Sequence, residues 1–406
     1  MKQQIEKYAD LLVRVGINIQ DKQTLVINSP IECAEFTRVV TKKAYEAGAR
    51  EVFVRWSDEL SQKMKYEMAS DEVFDEFPQW MTDMYNDFAD KDAAFLSIAA
   101  SDPELMKDIE PKRISRQNKV RNKALEYYRT RLMSDKNVWC IASIPTESWA
   151  KKVFPEGGEN AVAMLWDAIF KAVRVDREDP VQAWRDHQES LKANIDFLNK
   201  ACFKFLKYKN SIGTDVTVEL PDGHFWAGGG SKSPQGHDFV ANMPTEEVFT
   251  LPKLDGVNGK VVSSLPLNYN GNLIENFSFT FENGIVMEFT AEKGFDTLKE
   301  LLESDEGACR LGEVALVPYD SPISNQKILY FNTLFDENAS CHFALGKAYP
   351  MVNGVENMTP DEMTAAGIND SLIHEDFMIG TEDLEIIGIK EDGTEVQIFK
   401  KGNFAI

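Results

Sequence analysis

Histidines, paired cysteines, basic charge and long apolar runs are what this chain has least of. Five histidines are spread over 406 residues, so any imidazole chemistry comes from a short list. The five cysteines (Cys33, Cys140, Cys202, Cys309 and Cys341) are scattered and form no C-x-x-C pair. That excludes a disulfide framework and a cysteine-rich zinc site, and it fits a reducing cytoplasm. Cys33, Cys140 and Cys341 have apolar or small neighbours and are expected as buried thiols. No apolar run approaches the roughly 20 residues of a membrane helix. The opening MKQQIEKYADLLVRVGINIQ sets acidic residues within an amphipathic pattern, unlike a secretory leader. Lysine and arginine number 44 against 66 acidic residues, a net charge of −22. Such a chain repels phosphate backbones and is not a general nucleic-acid binder. The phosphate-cradling patterns G-x-G-x-x-G and G-x-x-x-x-G-K-[ST] are missing, as is the G-x-S-x-G nucleophile elbow.

What is present divides by texture. Up to about residue 200, short apolar runs alternate with amphipathic helical patterns: QTLVINSP, REVFVRW, AAFLSIAASD and NVWCIASIP read as strands. The helix IECAEFTRVVTKKAYEAG ends at Gly48, a suitable C-cap, and PVQAWRDHQESLKANIDFLNKA reads as one long helix. Alternating β and α units predict an α/β domain over 1–200 with a mostly parallel sheet. Beyond it, strand-like runs are separated by PDG, NYNGN, ENG and EDG. These signals predict antiparallel hairpins, hence a β-rich α+β domain over 201–406. The basic run at 111–131 is expected as a solvated helix face, and the GGG at 228–230 as a flexible loop.

The segment SLIHEDFMIG begins like the zinc-protease motif H-E-x-x-H, but Met378 stands where the second histidine belongs. On a strand the spacing works differently. Residues i and i+2 share a face, so His374 and Asp376 can approach one cation while Glu375 points away. His342 lies among small and apolar residues in ASCHFALGKAYP. In NMPTEEVFTLP, one of Glu246 and Glu247 is expected to face the core and the other to face out. Glu313, in RLGEVALVPY, has no basic neighbour beyond Arg310. A carboxylate in an apolar segment needs a counter-charge, because burying it unpaired is very costly. Carboxylates with imidazoles and no thiolate suit paired divalent ions such as zinc, cobalt or manganese. Two ions about 3.5–4 Å apart can activate a water between them. The other histidines are expected at the surface: His187 on a polar helix face, His224 and His237 in loops.

Taken in order, NMPTEEVFTLP, RLGEVALVP, NTLFDENASCHFALGKAYP and NDSLIHEDFMIGT resemble the thermophilic-metalloprotease aminopeptidases (T, S and II), and the likeness extends over essentially the whole chain. The resemblance implies a dimeric, two-domain exopeptidase that removes N-terminal residues from peptides and is activated by zinc or cobalt, with manganese and magnesium as further candidates. It implies metal ligation by Glu247, Glu313, His342, Tyr349, His374 and Asp376. Glu313 or Glu247 would move the proton in catalysis. Tyr349 would act as a ligand or as a hydrogen-bond donor to the oxyanion. The same ligand types also serve a two-metal phosphoesterase, or a peptide-binding protein whose metals are structural; fold alone does not decide among them.

Overall fold

A computed structural model describes residues 1–269 and 272–406. The Asn-Gly of the expected NYNGN turn lies outside the described residues. The chain packs into two compact units, Met1–Asp186 with Gly230–Pro244, and His187–Gly229 with Thr245–Ile406.

The first unit is built on a five-stranded sheet in the order Asn242–Met243, Trp139–Ala142, Ala94–Ile98, Thr24–Pro30, Glu51–Ser57. Every neighbouring pair is parallel. The four strands read from the sequence are the four long ones. Helices cover such a sheet, which is why TLVINSP is apolar with little alternation. The helix Ala34–Glu46 ends as expected, with Gly48 in the left-handed region at φ 103°. The basic run forms two helices, Pro111–Ala124 and Glu126–Met133. Several of its cations are engaged locally. Arg113 reaches Asp71 at 2.7 Å, Arg116 pairs with Asp75, and Arg131 donates to the Ala89 carbonyl at 3.0 Å. Cys33, Cys140 and Cys341 are buried free thiols.

The second unit is antiparallel. An eight-stranded sheet and a five-stranded sheet share one apolar core. Aromatic contacts tie them together, with ring centroids 5.0 Å apart for Tyr208–Phe343 and 5.1 Å for Phe279–Phe377. Two of the turn signals close hairpins. Asn283 and Gly284, both at positive φ, join Ser278–Glu282 to Ile285–Thr290, and Gly393 lies between Glu385–Ile389 and Glu395–Lys400. The long helix Pro180–Ala201 forms as read. No helix among the described residues is long and apolar enough to cross a membrane.

Candidate metal centre

The five-stranded sheet of the second unit runs His374–Met378, His342–Gly346, Leu311–Leu316, Val248–Thr250, Ala227–Gly228. Alternation sorts its residues by face. Val248, Val314, Phe343 and Phe377 point into the shared core. The other face therefore receives Glu247, Glu313, His342, His374 and Asp376. Register brings them level: His342 lies across from Ala315, Ala344 from both Glu313 and Asp376, and Gly346 from His374. The residues across from the charged ones are small: Ala315, Ala344 and Gly346.

Gly312 adjusts this register. The pairing slips between Leu311 and Glu313, so Gly312 is the extra residue of a bulge immediately before the carboxylate. Bulges re-aim side chains beside functional sites. The backbone is also tight there. A Cβ on Gly312 would fall 2.4 Å from the Gly346 carbonyl oxygen and 2.5 Å from that of Lys347.

At the centre, His342 Nε2 lies 3.2 Å from Glu247 Oε2 and 3.7 Å from Glu313 Oε1. His374 Nε2 lies 3.3 Å from Glu313 Oε2 and 3.5 Å from Asp376 Oδ1. Glu313 thus turns one oxygen to each imidazole and belongs to two clusters whose ligand atoms all lie within 4.8 Å of one another, close enough to hold an ion: Glu247–Glu313–His342 and Glu313–His374–Asp376. Both imidazoles are oriented in one way. Nδ1 of His342 is 3.1 Å from the Ser340 carbonyl, and Nδ1 of His374 is 2.6 Å from that of Lys347. A carbonyl only accepts, so each Nδ1 carries the proton and each Nε2 of a neutral ring presents its lone pair to carboxylate oxygens.

Lone pair facing carboxylate is repulsive unless a cation lies between. In the metal-free chain that cation is a proton. Burial works against charge on His342 and His374, but the adjoining carboxylates win: Glu247 and Glu313 raise His342, and Asp376 and Glu313 raise His374, each well above the usual imidazole value. Burial raises Glu247 despite His342. Burial would raise Asp376 too, yet His374 holds it below the usual carboxylate value. A donor set of carboxylates and Nδ1-anchored imidazoles, free of thiolate, fits divalent ions in place of those protons.

The sequence reading missed one member. Glu337 precedes Asn338 in a short 3₁₀ turn and faces this charge field. Burial, then Asp376 and Glu247, push its carboxyl well above the usual value. A 3₁₀ turn has no alternation to mark which side chain points inward; the acidic DEN in NTLFDENASCHF was the available signal. Tyr349 sits beside the cluster, its ring edge-on to His374 at 5.1 Å and tilted against Phe249 at 5.9 Å. Burial, partly opposed by His374, raises its hydroxyl, which stays protonated and able to donate.

Two expectations are corrected. Glu246 and Glu247 do not divide between core and solvent; both are buried. His187 is not solvated: its Nε2 lies 2.8 Å from the Thr245 carbonyl and 3.5 Å from Glu246 Oε2. Among the loop histidines, His224 is half-buried and hydrogen-bonded through Nδ1 to the Pro221 carbonyl at 2.9 Å. His237 lies outside the cluster. Glu375 pairs in register with Leu345 on the opposite face, where burial, then Asp376, push its carboxyl up to about 8.

Comparison with known proteins places this arrangement. A family model described as thermophilic metalloprotease (M29) matches residues 1–404. The chain is 48% identical to aminopeptidase 2 of Geobacillus stearothermophilus, covering 100% of this chain and 98% of that protein. It is 49% identical to aminopeptidase AmpS of Bacillus subtilis (strain 168), covering 99% and 98%. The solved structure of wild-type AmpT from Thermus thermophilus superposes with a TM-score of 0.94 at 37% identity, covering 100% of both chains. A dioxygenase from Pseudomonas putida KT2440, 11% identical with a TM-score of 0.55, shares the fold alone.

Proposed function

The chain belongs to the thermophilic metalloprotease family (M29) and is a metal-dependent aminopeptidase, and we propose that it removes N-terminal residues from peptides with two divalent ions that share Glu313. The observation that carries this reading is that Glu313 gives one oxygen to each of two ligand clusters. Glu247 and His342 complete one set, His374 and Asp376 the other, and Glu337 lies within reach of the same field. Zinc or cobalt suits imidazole with carboxylate best; manganese and magnesium lean further toward oxygen. All these ligands fall in the β-rich half, which we take as the catalytic domain, 201–406.

When bound, the ions would supply an acidified water and a Lewis acid for the first peptide carbonyl. The chain's own groups do the remaining work. Glu313 has both oxygens turned to imidazoles. Glu247 turns Oε2 to His342, which leaves Oε1 for a proton. Glu247 is therefore the favoured shuttle that takes the water's proton and returns it to the leaving amine. The protonated Tyr349 hydroxyl, beside His374, is the candidate donor to the oxyanion. Carboxylates outnumber imidazoles here, which suits a substrate's cationic α-amino group. The free thiols are compatible with a cytoplasmic enzyme, and family likeness underlies the proposal that it acts as a homodimer.

Chelation followed by dialysis tests the reading. Hydrolysis of leucyl-p-nitroanilide should vanish and return with zinc or cobalt at two ions per chain, while p-nitrophenyl phosphate stays uncut throughout. Asp376→Ala and His374→Ala should lose metal and activity together and keep the far-ultraviolet dichroism of the parent. Full turnover after chelation would reject the metal role; full activity with one ion per chain would reject the shared site.

A further inference from the structure

Glu247 is the one carboxylate of the two clusters that precedes its strand, Val248–Thr250, rather than lying within one. Regular pairing therefore does not fix it, and other contacts must. The peptide unit one residue upstream, joining Thr245 to Glu246, is held at both of its polar ends. Its carbonyl accepts from His187 Nε2 at 2.8 Å, and its N–H donates to Asn338 Oδ1 at 2.7 Å. Because the partner is a carbonyl, His187 Nε2 must carry a proton. Glu246 Oε2 lies 3.5 Å from the same nitrogen.

Asn338 is 0% exposed, and its amide group also donates. One bond runs to the Leu334 carbonyl at 3.0 Å and another to Glu337 Oε1 at 3.3 Å. One side chain thus links the backbone that carries Glu247 to the carboxylate of Glu337. On the far side, the Glu247 carbonyl abuts Gly228, where a Cβ would come within 2.3 Å of that oxygen. The segment has no freedom to shift unless one of these contacts breaks.

Building on the metal reading, we propose that His187 and Asn338 are positioning residues that clamp the Thr245–Glu246 peptide, and through it set where Glu247 and Glu337 meet the ions. Both act through the backbone or through Glu337. Residues that orient ligands typically change metal affinity by about 10–100-fold when removed. A purely structural role would lower stability and leave the affinity of the folded protein unchanged.

The test is titration of the chelated, full-length protein with cobalt(II), read by calorimetry and by the visible d–d absorption of the bound ion. Asn338→Ala and His187→Ala should each weaken cobalt binding about 10–100-fold and shift the absorption envelope. His187→Gln, whose amide can still donate to the Thr245 carbonyl, should stay close to wild type. The control is Asn137→Ala. Asn137 is equally buried and donates to the Ala89 and Ala93 carbonyls at 3.0 and 3.1 Å, outside the unit that holds the cluster. It should lose melting temperature without losing cobalt affinity. If Asn338→Ala does not yield folded protein, His187→Ala with its glutamine rescue carries the test alone. Wild-type affinity in the alanine variants, or an equal loss in Asn137→Ala, overturns the clamp and leaves the metal reading standing. A wild-type protein that takes up no cobalt overturns both.

Discussion

At the scale of single residues, the centre is a set of proton sites that a metal can occupy instead. His342 and His374 hold their protons in the metal-free chain because carboxylates surround each Nε2. Burial raises Glu247 and Glu337 as well. All four shifts have one sign: the folded state binds more protons than the unfolded chain, so stability falls as pH rises. For the imidazoles that contribution is fully present below the unfolded value of about 6.5 and is lost as pH climbs through the raised folded values. For the two carboxyls the loss begins above about 4.3. Asp376 runs the other way, but only in acid below about 3.9. Chelated protein should therefore melt at progressively lower temperature from pH 6 to pH 9, whereas zinc-loaded protein should show a much flatter profile. Metal uptake near neutral pH should release protons, seen as a binding enthalpy that varies with the ionisation heat of the buffer. A chelated protein whose melting temperature rises over that range would mean the histidines are not held charged. His374-x-Asp376 was legible in the sequence because i, i+2 on a strand shares a face. His187 was not, since a helix pattern fixes a side chain's direction but not what another segment places in front of it.

At the scale of elements, strands and hairpins were legible because alternation and turn chemistry are local. NVWCIASIP, ENG and EDG each fell where periodicity placed them. Strand order was not. That the His374, His342 and Glu313 strands lie side by side is set by which apolar faces meet in the core, and no local pattern records it. The texture changes near residue 200, yet Gly230–Pro244 packs with the first unit because Asn242–Met243 extends its parallel sheet beside Trp139–Ala142. Two residues of strand leave almost no signature. The bulge at Gly312 was equally invisible, and it has a testable role. A Cβ on Gly312 would fall 2.5 Å from the Lys347 carbonyl oxygen, the same oxygen that orients His374 through Nδ1. Gly312→Ala must move that carbonyl or close the bulge, and either displaces Glu313 relative to His374. A shift of about 1 Å at such a site can cost roughly 10²-fold in rate. Overpacking costs about 1–3 kcal/mol in stability. The variant should fold with a reduced melting temperature and show about a 10²-fold lower kcat with metal present. Wild-type kcat in the alanine variant would show that the bulge does not aim the carboxylate.

At the scale of the molecule, charge takes over from geometry. With the two divalent ions proposed above, the four negative charges of Glu247, Glu313, Asp376 and the nearby Glu337 would be cancelled. The loaded centre would then exert little long-range pull on a cationic substrate, and its carboxylates would hold the α-amino group only at contact distance. The rest of the chain does exert such a pull: without those four carboxylates its 62 acidic residues still exceed its 44 basic ones by 18. A peptide's α-amino group is partly to fully protonated near neutral pH, its pKa being about 7.7–8.0. An acidic surface raises the local concentration and encounter rate of such ligands, and salt weakens the effect. The screening length falls from about 30 Å at 0.01 M salt to about 10 Å at 0.1 M. Across that interval kcat/KM for leucyl-p-nitroanilide should fall by a modest factor. Lysyl-p-nitroanilide, with a second positive charge, should fall more steeply, and a glutamyl substrate the least. Steady-state assays of the three substrates at fixed metal loading give the comparison directly. Equal salt slopes for the three would place the discrimination in local contacts with the carboxylates, and would leave the acidic surface with no part in choosing the substrate.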